Sequence, residues 1–132
     1  MIQFKSKIAL VIEDDSKILK LVSRYCEQLG MAVREAPSAK TAAALLQQFT
    51  PDLVCLDLVL PESSGYTICE QMRATPRLAN VPVLVISARS SLLDRAAAEE
   101  AGADDYLVKP LRWAAFASAA GRLLACSEVQ AT

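Results

Sequence analysis

The feature that most constrains this chain is an alternation of two periodicities. Short, continuous apolar runs rich in β-branched residues occur at Ile8–Ile12, Leu53–Leu56, Val83–Ile86 and Tyr106–Val108, with a weaker, polar-interrupted run at Ala32–Ala36. Runs of this length without polar alternation suit strands buried on both faces, where helices above and below leave no solvent side. Between them, apolar residues return every three or four positions, as on one face of a helix. Ser16–Leu29 places Ile18, Val22, Tyr25, Cys26 and Leu29 on one side and Lys17, Lys20, Arg24 and Glu27 on the other. Ser38–Phe49 repeats the pattern with Ala42, Leu45, Leu46 and Phe49, and Tyr66–Arg73 with Ile68, Cys69 and Met72. Ser91–Ala101 does so with Leu93, Ala97 and Ala101, and Trp113–Ala125 with Trp113, Phe116, Ala117, Ala120, Leu123 and Leu124. Gly30 and Gly102 stand where two of these helices should stop.

A strand followed by a helix, five times over, predicts right-handed crossovers and a parallel sheet covered on both faces. The expected fold class is α/β: a single doubly wound, five-stranded parallel sheet in the order 2-1-3-4-5 with five helices. The weak second strand then lies at one edge and the short fifth at the other. Pro51, Pro76 and Pro82 mark loops or strand starts. One domain over residues 1–126 is expected, with a short tail over 127–132. A chain of 132 residues buries enough surface to need no disulfide or metal staple.

Composition removes several function classes. With 53% hydrophobic and 22% charged residues, the chain is not a disordered linker. Fourteen basic against fifteen acidic residues argue against nucleic-acid binding by bulk positive charge. The absence of histidine excludes histidine-based catalysis and His-ligated metals. No apolar run approaches the ~20 residues of a membrane span. Met1–Lys7 lacks a signal-peptide core, so a soluble, cytoplasmic protein is expected. Cys26, Cys55, Cys69 and Cys126 show no C-x-x-C spacing and read as reduced thiols, mostly buried. With four glycines there is no Gly-rich phosphate loop.

The chemistry should lie where a parallel sheet delivers its strand ends. In open α/β folds that edge, at the switch point between the first and third strands, is where ligands bind. Glu13-Asp14-Asp15 follows the first strand, Asp57 the third and Lys109 the fifth, while Ser87 closes the fourth. Carboxylates packed together repel unless a cation joins them. Hard oxygens with no thiolate or imidazole nearby suit Mg²⁺. A carboxylate can act as nucleophile to form an aspartyl-phosphate. Lys109 would then pair with one phosphoryl oxygen and the Ser87 hydroxyl would donate to another. Singly, each residue has a plainer reading. The acids could be a helix start favoured by its dipole, Lys109 and Ser87 turn or cap residues. Their convergence on one edge carries the functional reading.

These residues stand in the segments Val11-Ile12-Glu13-Asp14-Asp15, Asp57-Leu58-Val59-Leu60-Pro61 followed by Gly65, Val85-Ile86-Ser87-Ala88, and Gly102-Ala103-Asp104-Asp105-Tyr106-Leu107-Val108-Lys109-Pro110. Through them the chain resembles the receiver domain of bacterial two-component response regulators over residues 7–125. The resemblance implies a flavodoxin-like receiver fold with Asp57 as phosphoacceptor. It implies an acidic pair, Asp14 ligating Mg²⁺ directly and Glu13 through water, completed by Asp57 and the backbone carbonyl of Val59. Ser87 matches the switch hydroxyl, Tyr106 the aromatic switch residue, and Lys109 the phosphoryl-contacting lysine, with a cis bond to Pro110. Ser87 would move toward the phosphoryl group and Tyr106 fill the space vacated. Val59 and Arg89, two positions beyond the acceptor and the switch hydroxyl, would flank the hydrolytic water and control dephosphorylation.

The partners implied are a histidine kinase or phosphotransfer protein as donor, and a downstream effector or output domain absent from this chain. The fourth helix, fifth strand and fifth helix would carry the message, with no direct contact to nucleic acid or membrane. Such a domain catalyses only its own phosphorylation and dephosphorylation. Residues 113–120 lack the paired acid and base that winged-helix transcription factors of this kind use to dimerise, which leaves the oligomeric state open. Two rival readings are weaker. An interaction module that keeps the fold without phosphorylation would have lost Asp57, Lys109 or an acid. A carboxylate-nucleophile phosphohydrolase would carry an aspartate where Val59 stands.

Overall fold

The computed structural model describes the backbone of residues 3–131 and the side chains of residues 3–126. Strands β1 (Ile8–Ile12), β2 (Ala32–Ala36), β3 (Leu53–Leu56), β4 (Val83–Ser87) and β5 (Asp105–Val108) form one parallel sheet in the order β2-β1-β3-β4-β5, as expected. The helices are α1 (Ser16–Gln28), α2 (Ala39–Gln48), α3 (Gly65–Ala74), α4 (Leu92–Ala101) and α5 (Trp113–Ala131), with a short 3₁₀ turn at Pro76–Leu78 that the sequence did not announce.

Alternate residues along each strand supply two separate cores. Leu10, Ile12, Val54, Leu56, Val83 and Val85 pack toward Leu46, Ile68 and Met72 of α2 and α3. Ala9, Val11, Leu53, Cys55, Leu84 and Ile86 pack toward α1 and α5, against Val22, Cys26, Phe116 and Leu124. Burying each large apolar side chain contributes about 1.5–3 kcal/mol, so both layers drive the sheet to form. Strand β2, exposed along most of its length, is the weak edge. Asp15, Ser38, Ser64 and Ser91 cap the first turns of α1 to α4 through their side chains. Such a cap contributes about 1 kcal/mol. Cys26, Cys55 and Cys69 are buried free thiols, whereas Cys126 is exposed. No helix among the described residues is long and apolar enough to cross a membrane.

Helix α4 departs from the expected face. Of the Leu93, Ala97 and Ala101 expected inward, Ala101 packs partly buried against the core, whereas Leu93, like Leu92, is 83% exposed and Ala98 is the one fully buried residue of the helix. The helix runs from the Ser91 cap to Gly102, which lies in the left-handed region at φ +112°. Between these ends a small alanine, not a leucine, meets the sheet. Helix α5 differs in length from the expected Trp113–Ala125, running on to Ala131; Thr132 lies outside the described residues.

At the sheet edge away from the acidic residues, Arg73 acts as a clamp. Its guanidinium donates to the carbonyls of Gly102, Ala79 and Val81 at 2.7–3.1 Å and to Asp104 Oδ2 at 2.8 Å. Asp104 in turn accepts the Val83 N–H. One arginine thereby ties α3, the start of β4 and the α4–β5 turn together.

Gly121 within α5 has nothing within 4 Å of where a Cβ would stand. Gly121→Ala should therefore raise stability by about 0.5–1 kcal/mol through helix propensity alone. Urea denaturation checks this, and an unchanged midpoint would show that the last helix frays before global unfolding.

Candidate functional site at the carboxyl edge of the sheet

The sheet's hydrogen bonding carries on past the strands into the site. The Glu13 N–H donates to Ala36 O at 3.1 Å, Asp57 N–H to Ile12 O at 3.1 Å, and Lys109 N–H to Ser87 O at 2.9 Å. The ladder thus fixes the backbones of all three charged residues. Their side chains meet: Lys109 Nζ lies 2.7 Å from Glu13 Oε1 and 3.1 Å from Asp57 Oδ2. Glu13 is 3% exposed and Asp57 6% exposed. Asp57, at the end of a core strand, is paired with the lysine. The Lys109–Pro110 peptide bond is cis, as the resemblance implies.

Burial is the largest influence on Glu13 and raises its pKa to about 7; the neighbouring Asp57 charge pushes the same way, while Lys109 and the Asp15 N–H pull it down. For Lys109, burial acts downward, but its bonds to Glu13 and Asp57 outweigh it and hold the ammonium above its usual range. A buried acid with a raised pKa makes the folded state bind more protons than the unfolded chain. Stability of the metal-free protein should therefore fall as pH rises from the ordinary glutamate value, near 4.5, toward 7. Thermal melts in chelator across that window test this, with Glu13→Gln as control: the variant should lose the slope, and a wild-type melt that rises with pH would contradict it.

Asp14 is exposed, and one carboxylate oxygen from each of Glu13, Asp14 and Asp57 comes within 4.8 Å of the others. Three carboxylates facing one ammonium leave an all-oxygen, net-negative pocket whose donor chemistry fits a hard divalent cation such as Mg²⁺. Asp15 is turned away: its Oδ1 accepts the Lys17 and Ile18 N–H groups and caps α1. Its own N–H holds Glu13 Oε2 at 3.2 Å.

The loop that follows β3 is held from below by Gly65. A Cβ there would stand 2.3 Å from Asp57 O and 2.8 Å from Leu58 Cα, so the first turn of α3 reaches the loop only because this residue has no side chain. The Val59 N–H donates to Asp57 Oδ1 at 3.2 Å, and the Val59 side chain is 51% exposed. Val59 and Arg89 line one opening beside the loop, together with Tyr66.

Ser87 is fully buried, its Oγ accepting the Arg89 N–H at 3.3 Å. Tyr106 is already buried, 8% exposed, with its hydroxyl donating to Arg89 O at 2.8 Å. The ring therefore does not wait for Ser87 to move before it occupies the interior. The Arg89 guanidinium, expected beside the hydrolytic water, is 3.4 Å from Asp94 on α4. Sequence reasoning missed Asp94, which also accepts from Ser91, because an acid in a helix's first turn is accounted for by the helix dipole and carries no distinguishing signal.

Residues 9–120 match the family described as the response regulator receiver domain. Over 101 residues the chain is 42% identical to the DNA-binding dual master transcriptional regulator RpaA of Synechocystis sp., an alignment covering 76% of this chain and 42% of that protein. The chain thus spans well under half the length of the curated relatives it matches. In structure it resembles a response regulator from Chloroflexus aurantiacus, with a TM-score of 0.87 and 30% identity over 92% of this chain and 99% of that one. The receiver domain of a signal transduction histidine kinase from Syntrophus aciditrophicus gives a TM-score of 0.83 at 28% identity, covering 91% of each chain. Strand order, the acidic edge with its lysine and the extent of the match agree: the chain belongs to the response regulator receiver domain family of two-component signalling.

Proposed function

We propose that this domain accepts a phosphoryl group on Asp57 from the phosphohistidine of a histidine kinase or phosphotransfer protein. The observation that carries the reading is the Lys109 ammonium bridging Asp57 and Glu13 at a sheltered sheet edge. In the transfer the donor's N–P bond breaks, a bond from Asp57 carboxylate oxygen to phosphorus forms, and the imidazole leaves. Lys109, bonded to Asp57, would follow a phosphoryl oxygen once the Asp57 oxygen is bonded to phosphorus. Asp14, Asp57 and the Val59 carbonyl would hold Mg²⁺, with Glu13 acting through water, and the ion supplies charge neutralisation on the phosphoryl oxygens. Ser87 would turn its hydroxyl to the phosphoryl group, drawing on the Arg89 peptide that Tyr106 also holds. Val59 and Arg89, at the opening beside the loop, would set how fast water removes the phosphoryl group.

Residues 1–126 would be the receiver unit, acting in the cytoplasm and catalysing only its own phosphorylation and dephosphorylation. The α4–β5–α5 face would deliver the change to an effector or output domain outside this chain, with no direct nucleic-acid or membrane contact. Incubation with acetyl phosphate, with and without Mg²⁺, read by intact mass, tests the reading: one Mg²⁺-dependent phosphoryl addition is expected, and none under either condition would overturn it.

The metal assignment separates two neighbours. Asp14→Asn should weaken Mg²⁺ binding by about tenfold or more, as loss of a direct ligand would, whereas Asp15→Asn should cost only part of a helix cap. Isothermal titration of both variants decides it. Equal losses would mean that the acidic pair is displaced by one residue.

A further inference from the structure

Helix α4 is weakly anchored by burial, since Ala98 is its only buried residue. What holds its first turns is a set of directed contacts. Tyr66 from α3 donates its hydroxyl to Asp94 O at 3.4 Å. The Arg95 guanidinium lies over the Tyr106 ring, 5.0 Å from its centroid. From Arg95 the contacts continue inward without a gap. The Tyr106 hydroxyl grips Arg89 O at 2.8 Å, and the N–H of the same residue is on Ser87 Oγ at 3.3 Å. Arg95 is exposed, whereas Ser87 at the other end is fully buried.

We propose that Arg95 is a positioning residue for Ser87, acting through the Tyr106 ring and the Arg89 peptide. The inference rests on the receiver reading and adds the element that sets its switch from the solvent side. A cation over the outer face of the ring keeps the ring in, and the ring keeps the Arg89 peptide where the Ser87 hydroxyl meets it. Any group that draws Arg95 away, such as a carboxylate on a partner, would loosen Ser87; by linkage, whatever moves Ser87 alters what Arg95 presents to solvent. No periodic or motif signal marks Arg95, because it occupies an exposed helical position.

The test uses the whole chain and two substitutions of similar helix propensity, Arg95→Gln and Arg95→Lys. The first removes the cation and the second keeps it. Glu99→Gln, one turn further along α4, controls for a change of helix charge. Two readouts are needed: the Tyr106 ring resonances by NMR, and the rate of phosphoryl uptake from acetyl phosphate with Mg²⁺. Arg95→Gln should shift the Tyr106 resonances toward those of an exposed tyrosine and slow uptake several-fold, the size expected of one cation–π contact. Arg95→Lys should recover most of both, and Glu99→Gln should match wild type. The proposal is overturned if Arg95→Gln leaves the ring in place, if the ring moves with no change in rate, or if Arg95→Lys falls as far as Arg95→Gln. Wild-type chain that takes no label at all would instead count against the receiver reading, while the ring resonances would still report on Arg95.

Discussion

Asp57→Asn should take up no phosphoryl group from acetyl phosphate under conditions in which wild type is labelled to near completion. An amide lacks the nucleophilic oxygen that forms the acyl phosphate. The variant should nonetheless fold. Asp57 and Glu13 are both buried and both bonded to one ammonium, and the Asp57 charge is among the influences that raise the Glu13 pKa. Removing it leaves Glu13 and Lys109 as a balanced pair at 2.7 Å and relieves repulsion between the acids. The melting temperature at neutral pH should therefore be equal to or above that of wild type. Loss of labelling together with an unchanged fold, shown by circular dichroism, locates the chemistry on this side chain. Undiminished labelling would place the acceptor elsewhere.

Gly65→Ala should be the most damaging single methyl addition near the site. The added carbon would meet the Asp57 carbonyl carbon at 3.1 Å as well as its oxygen at 2.3 Å and Leu58 Cα at 2.8 Å, and all three are backbone atoms. No rotamer change can relieve such a contact, so either α3 or the loop after β3 must shift. Gly65 is also bonded to that loop, its N–H donating to Leu58 O at 3.0 Å, which resists the shift. Overpacking of this kind costs about 1–3 kcal/mol. For a domain of this size that lowers the melting temperature by roughly 3–12 °C. Phosphoryl uptake should fall more than stability does, since the displaced backbone includes Asp57 itself and the Val59 N–H on its Oδ1. A melt within a degree of wild type would show that the loop yields without cost.

The fold was legible because its strands are written as unbroken apolar runs. Ile8–Ile12 and Leu53–Leu56 have no other arrangement that buries both faces, and their ends dictate where Glu13 and Asp57 fall. The core faces of α1, α2, α3 and α5 could be read from apolar residues that recur every three or four positions, as in Ile68, Cys69 and Met72. Helix α4 could not. Its leucines are more apolar than its alanines, so periodicity points Leu93 inward, whereas Ala98, with Ala101 beside it, is what meets the core. Within the site, the sequence identified the residues that meet at the strand ends but not how they are held. That Lys109 bonds two carboxylates at once, that Tyr106 is inward with its hydroxyl on Arg89 O, and that Arg89 turns to Asp94 all depend on side-chain directions in the β4–α4 and β5–α5 turns. Arg73 was read only as the end of a helical pattern, because a guanidinium that satisfies carbonyls of two later turns leaves no local pattern.

A phosphoryl group on Asp57 would be an acyl phosphate, open to hydride attack at its carbonyl carbon. Reduction of the labelled wild-type chain with borohydride converts an aspartyl-phosphate to homoserine and leaves unmodified carboxylates as they are. Peptide mapping by tandem mass spectrometry should then find homoserine at position 57, only in samples that received both phosphodonor and Mg²⁺. Homoserine at Asp14 or Asp15, or at no position despite a phosphoryl mass gain, would contradict the account.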